Sequence, residues 1–253
     1  MIAFEPWQWA LAALAALIIG VAKAGIGGLG LLAVVIFAQI LPAKQATGAV
    51  LPLLCVGDIV GAVVYWRHAK WEYIRRLMPW TAVGVAIGYV ALDWLEEAQA
   101  RVLIGGIIVG MVALHYLRRR GSAPALASID PEALGHGPFW LAPAMGVLVG
   151  FTTLVANAAG PLMVIYMLAM RLPKLDFVGT GAVFFLLLNF FKVPFMVHLG
   201  LITTASFSVN LVLAPAVLAG TWVGRYIVLR IDQRVFENVA LLLSLLAGVK
   251  LLV

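Results

Sequence analysis

Apolar residues fill this chain in long runs, and polar residues fall almost entirely between the runs. Crossing the hydrocarbon of a bilayer takes about 20 predominantly apolar residues, with a range of about 17 to 25. On that measure the pattern predicts helical segments at 7–22, 26–41, 47–66, 76–94 and 101–117, then at 138–156, 158–170, 177–197, 204–228 and 235–252. Segments 26–41 and 158–170 are too short to span comfortably. The one long polar stretch runs from Arg118 to Gly137 and divides the segments into two groups of five.

Composition agrees with this division. Of the 253 residues, 64% are hydrophobic and 11% charged, and the mean hydropathy is +1.08. A soluble domain carries about 25% charged residues, so the pattern is that of an integral, all-α, polytopic membrane protein with no separate soluble core. The net charge of +6 does not point to nucleic acid, because the basic residues cluster at the ends of apolar runs. Cys55 is the sole cysteine, which excludes an intramolecular disulfide and a cysteine metal cluster. The four histidines, His68, His115, His136 and His198, have no metal-ligand spacing, so neither metal nor cofactor is expected. The start, M-I-A-F-E-P-W-Q-W, lacks the basic region of a cleaved signal and reads as a retained first segment.

Counting loops as alternating sides collects Lys23, Arg67, Lys70, Arg75, Arg76, Arg118 to Arg120, Arg171, Lys174, Arg230 and Arg234 on one side. The other side holds little beyond Lys44, Arg101 and Lys250. By the positive-inside rule the first side is cytoplasmic, which places both termini outside and makes 118–137 a cytoplasmic linker. Trp7, Trp9, Trp66, Trp71, Trp94 and Trp140 fall near run ends, where aromatic belts belong.

The two groups resemble each other. Pro79, Gly84 and Gly88 match Pro215, Gly220 and Gly224 at a spacing of 136 residues, while Gly20 and Gly30 match Gly150 and Gly160 at 130. Each half crosses an odd number of times, so 1–117 and 138–253 read as inverted repeats. Transporters built this way place their site near the midplane, where short or Gly/Pro-interrupted segments face each other across the repeat. Here those interruptions are A-K-A-G-I-G-G-L-G at 22–30 and T-T-L-V-A-N-A-A-G-P at 152–161. Each half thus starts with a broken or re-entrant helix pair.

A break exposes backbone groups that lipid cannot satisfy, so it belongs against protein or a water-filled cavity. A helix that restarts after it presents unpaired N–H groups and a positive dipole end, which suit an anion. Gly25, Gly27, Gly28 and Gly30 let the chain approach a ligand in the first half. In the second, Asn157 supplies an amide, Gly160 a close approach, and Pro161 a first helical turn. Small residues at these positions also serve plain helix packing.

Four charged residues lie within or beside apolar runs. Asp58, in 47–66, costs roughly 2.5–3.5 kcal/mol on insertion scales and so faces the bundle interior; it reads as a proton or cation coupling site or as a hydrogen-bonded packing residue. Lys192, with Asn189 three residues earlier on the same helical face, reads as an anion contact or as a side chain snorkelling to the interface. Lys23 abuts the first break close to the cytoplasmic edge, and reads as an anion contact or as a mark of orientation alone. Arg225 reads as a structural or interfacial charge. Thr47 and Thr180 offer hydroxyls either to a ligand or back to their own helices.

The stretches A-K-A-G-I-G-G-L-G, L-P-A-K-Q-A-T-G-A, V-A-N-A-A-G-P-L-M and V-G-T-G-A-V-F-F-L-L-L-N-F-F-K-V-P-F together resemble the sulfite exporter TauE/SafE family of bacterial membrane permeases, over nearly the whole chain outside the linker. The second half carries Asn157 to Pro161 where the commonest family pattern has a glycine run. The resemblance implies a secondary permease of the inner membrane for a small, sulfur-containing anion such as sulfite or an organosulfonate. Its binding residues would be Gly25, Gly27, Gly28, Gly30, Asn157, Gly160, Thr180, Asn189 and Lys192, with Asp58 for coupling. Partners would be the anion and lipid, with no nucleic acid, and a homo-oligomer is compatible with the sequence. No nucleotide-binding G-x-x-x-x-G-K-[ST] run is present, so energy would come from a gradient or a partner. The alternatives are an uncoupled anion channel and an intramembrane enzyme, for which the sequence offers no paired Ser and His, paired Asp or H-E-x-x-H set.

Overall fold

The computed structural model describes residues 4–25, 29–91 and 140–252, together with 96, 98–99, 102, 105–106, 109–110 and 112–113. Gly27, Gly28, most of segment 101–117 and the linker 118–137 lie outside the described residues. Nine helices are described: α1 (Pro6–Lys23), α2 (Leu29–Phe37), α3 (Ala43–Tyr65), α4 (Trp71–Ala91), α5 (Leu141–Ala156), α6 (Ala159–Ala169), α7 (Lys174–His198), α8 (Thr204–Arg230) and α9 (Gln233–Leu252). A short 3-10 turn, Trp66–His68, extends α3. Each predicted segment with most of its residues described contains a helix, although α2 stops at Phe37, short of the run's end at 41, and the chain is a multi-pass membrane protein.

Helix α1, α7, α8 and the stretch Gln45–His68 are long and apolar enough to cross a membrane. Helices α2 and α6 are not: their 9 and 11 residues extend about 14 and about 17 Å at 1.5 Å per residue, against roughly 30 Å of hydrocarbon. The structure differs from the hydrophobic pattern mainly at α4, which begins at Trp71, ahead of the apolar run at 76. Its first two turns carry Glu72, Arg75 and Arg76, and the Arg76–Glu72 pair at 2.9 Å supports an i,i+4 turn that hydropathy does not detect.

The most extensive packing joins α4 to α5 and α1 to α8, with α3 lying along α7 between them. The first two interfaces are built alike. A Cβ on Gly20 would land on the backbone of Val217 and Thr221, and one on Gly150 would land on the backbone of Thr81 and Val85. Gly220 meets the Leu17 carbonyl as Gly84 meets that of Val147. Thr81 and Thr221, one in each interface, turn their hydroxyls back to the Leu77 and Val217 carbonyls, each at 2.9 Å. Glycine here brings backbones into contact, the usual means of helix association where lipid removes the hydrophobic drive.

The α3–α7 layer is fixed at its Tyr65 end by the loop before α4. Asp176, in the first turn of α7, faces Lys70 at 3.0 Å and His68 at 3.4 Å, while the Thr180 hydroxyl accepts from the Lys70 backbone N–H at 2.9 Å. At the other end Gly48 lies against Leu201. Asp58 and Asn189 therefore meet well inside the layer, away from both ends.

Candidate functional site

Helix α1 ends because Gly25 takes φ +120°, a conformation that side chains rarely adopt and glycine adopts freely. The side chain of Val178 occupies the space a Cβ there would need. The termination leaves Lys23 in the last turn of α1, with its ammonium 2.7 Å from Asp58 Oδ1 and 4.7 Å from the centre of the Phe185 ring. Asp58 is fully buried and Lys23 nearly so. A buried carboxylate needs this kind of pairing to remain charged.

Helix α5 ends differently. Asn157 adopts φ 50°, ψ 30°, the left-handed conformation that asparagine tolerates best among residues with a side chain. One residue, Ala158, then separates it from α6. The turn aims the Asn157 amide across the bundle: Nδ2 donates to the Thr47 carbonyl at 2.9 Å, and Oδ1 accepts from Lys192 at 2.6 Å. Lys192 is fully buried and also donates to Thr153 Oγ1 at 2.9 Å. Burial rules out snorkelling for this lysine.

Asn189 joins the two ends. Its Nδ2 donates to Asp58 Oδ2 at 2.6 Å, and its Oδ1 accepts from Lys192 at 3.4 Å. A neutral amide can donate to a carboxylate and accept from an ammonium at once; aspartate or lysine here would repel one neighbour. The result is a polar chain, Lys23–Asp58–Asn189–Lys192–Asn157, running through α1, α3, α7 and α5. With its side chains ionised, it holds two ammonium groups and one carboxylate.

A cavity of about 90 Å³ opens beside this chain. Lys23, Asp58, Thr153, Asn157 and Asn189 give it one polar wall, with Gly25 at the first break and Gly30 and Gly160 in the opening turns of α2 and α6. Met163, Met167, Phe177 and Phe185 add apolar lining. No side chain caps the α6 N-terminus, and Gly160 brings its first turn to the cavity. Such a turn presents unpaired N–H groups and the positive end of the helix dipole.

The structure thus brings together Gly25, Gly30, Asp58, Asn157, Gly160 and Asn189 around one cavity. Lys192 stands one layer behind them, held by Thr153, Asn157 and Asn189. Thr180 stands apart, its hydroxyl committed to the loop before α4. Two cavity residues escape a reading based on individual polar positions, Lys23 as a partner of Asp58 and Thr153. Thr153 follows Lys23 by the same 130 residues that separate Gly20 from Gly150. Among the described residues no group of three or more His, Cys, Asp or Glu side chains could hold a metal ion.

A family model described as Sulfite exporter TauE/SafE matches residues 12–251. No curated protein and no solved structure matches the chain.

Proposed function

The chain belongs to the sulfite exporter TauE/SafE family of membrane transporters, and from that membership we propose that it is a secondary permease that binds a small sulfur-containing anion between its two chain breaks. The observation that carries this reading is the charge balance of the polar chain. Lys23 is neutralised by Asp58, whereas Lys192 meets only neutral acceptors, Thr153, Asn157 and Asn189. That leaves one positive charge for an anion held at the cavity wall, with the first turn of α6 and the Asn157 and Asn189 amides as donors. Sulfite and short organosulfonates fit the donor set, and the methionine and phenylalanine wall suits an organic tail.

The halves, 1–117 and 138–253 around a cytoplasmic linker at 118–137, are on this reading inverted repeats. Support comes from the matching glycine contacts of α1 with α8 and α5 with α4. Helices α1–α2 and α5–α6 then bring their breaks to the cavity from opposite faces, the arrangement that alternating access exploits. The protein would lie in the bacterial inner membrane with both termini outside. Asp58 takes the coupling role, since the Lys23 ion pair and the Asn189 bond both depend on its charge.

Counterflow in proteoliposomes tests the proposal. Preloaded unlabelled sulfite should drive saturable uptake of labelled sulfite, and sulfite, thiosulfate or sulfoacetate should raise the unfolding temperature in detergent. Non-saturating flux would instead identify a channel. Stabilisation by carboxylates and by none of the sulfur anions would overturn the substrate class.

A further inference from the structure

We infer that the crevice between α3 and α7 beside Arg67 is a binding site for one anionic phospholipid. It is a second cavity, of about 570 Å³, on the outer side of α3. Ile59, Ala62, Val63 and Trp66 line it from α3 and the turn after it, and Leu186 lines it from α7. The spacing i, i+3, i+4, i+7 puts the first four on a single helical face. Neighbouring Asp58 is fully buried, while Ile59 and Val63 are exposed, so α3 separates the anion cavity from this groove.

From Ile59 to Trp66 the wall runs about 10 Å along the axis at 1.5 Å per residue and is apolar throughout, the form an acyl chain requires. Its upper end is different. Trp66 and Trp71 pack edge to face at 5.1 Å, an aromatic pair of the kind that sits at headgroup level, and Arg67 and His68 close the groove there. The cations nearby are already committed, Lys70 to Asp176 and Arg76 to Glu72. No carboxylate among the described residues pairs with Arg67. An exposed guanidinium above a membrane-facing apolar slot is complementary in both charge and polarity to a phosphate headgroup with its chain below. His68, which faces the same end, also contacts Asp176 at 3.4 Å and so ties the groove to the start of α7.

The test uses the full chain in mild detergent, titrated with phosphatidylglycerol or phosphatidylcholine and read by native mass spectrometry. The protein retains one phosphatidylglycerol in preference to phosphatidylcholine. Arg67→Gln weakens that retention by about fivefold, the value of one basic residue at an anionic surface. Val63→Trp, at an exposed position, fills the slot and reduces retention of both lipids. Arg230→Gln, which removes an exposed cation stacked on Tyr226 elsewhere, changes nothing. Equal retention of the two lipids, retention unaffected by both Arg67→Gln and Val63→Trp, or occupation of the groove by a second copy that Val63→Trp releases would each overturn the assignment. None of these results bears on anion transport, so failure here leaves the proposed function standing.

Discussion

At the first chain break α1 ends on Lys23, and the charge it brings into the bundle is met at once by Asp58 at 2.7 Å. At the second, α5 ends on Asn157, which brings no charge, and a lysine from α7 comes to it at 2.6 Å. Both are ends of a helix before a break, yet one end is an ion pair and the other a cation among neutral acceptors. In a low-dielectric interior that difference separates two tasks. The ion pair stabilises the bundle only while both partners are present. On the proposed reading, the lone cation adds little to the fold and leaves its charge for a ligand.

The largest effect should come from breaking the first arrangement. Asp58→Asn leaves Lys23 without a counter-charge and replaces a carboxylate that accepts from Asn189 at 2.6 Å. Removing one partner of a buried pair costs about 3–5 kcal/mol, and the slight exposure of Lys23 favours the lower end. Thermal unfolding in detergent should show this loss, and Lys23→Met combined with Asp58→Asn should recover most of it. A double variant no more stable than Asp58→Asn alone would mean that the pair does not hold the bundle.

Lys192→Met should separate binding from folding. The replacement is apolar and of similar length, and it removes a buried charge that has no carboxylate partner, so stability should stay within about 1 kcal/mol of the parent or rise. Binding should not follow. Two unit charges 4 Å apart interact by about 4 kcal/mol at an effective dielectric of 20; one layer further back about half remains, a roughly thirtyfold loss of sulfite affinity. The midpoint of a thermal-shift titration with sulfite measures it. Unchanged affinity, or a stability loss as large as that of Asp58→Asn, would erase the distinction between the two ends.

Much of this was legible in the residues. Hydrophobic runs located the helices, and the glycine and proline spacings pointed to paired breaks, because lipid imposes strong constraints on both. Asp58, Asn189 and Lys192 were conspicuous as polar residues in apolar surroundings, and they proved to be neighbours. What could not be read was which partner each would take. Lys23 looked like an orientation signal because a lysine at a run end usually is one. Only the left-handed turn at Gly25 and the antiparallel register of α3 on α7 bring it to Asp58. Thr180 shows the converse: it offered a hydroxyl to a ligand or to its own helix, and it accepts from the Lys70 N–H at 2.9 Å instead. A hydroxyl's partner depends on the loop that packs beside it, which the pattern of apolar runs does not specify.

The smallest effect concerns Asn157, whose backbone and amide have separate jobs that two substitutions can pull apart. Asn157→Gly keeps the left-handed turn at φ 50° but deletes the bonds to Lys192 and the Thr47 carbonyl. Asn157→Ala deletes the same bonds and adds the cost of a Cβ in that conformation, about 1–2 kcal/mol. If the amide holds Lys192 toward the cavity, both variants should lose about 1 kcal/mol of sulfite affinity, roughly fivefold, and Ala should melt well below Gly. If Gly binds as the parent does and only Ala is impaired, Asn157 serves as a turn residue. The second break would then resemble the first more closely than its chemistry suggests, with Gly25 and Asn157 doing the same backbone work and Lys192 held by Thr153 and Asn189 alone.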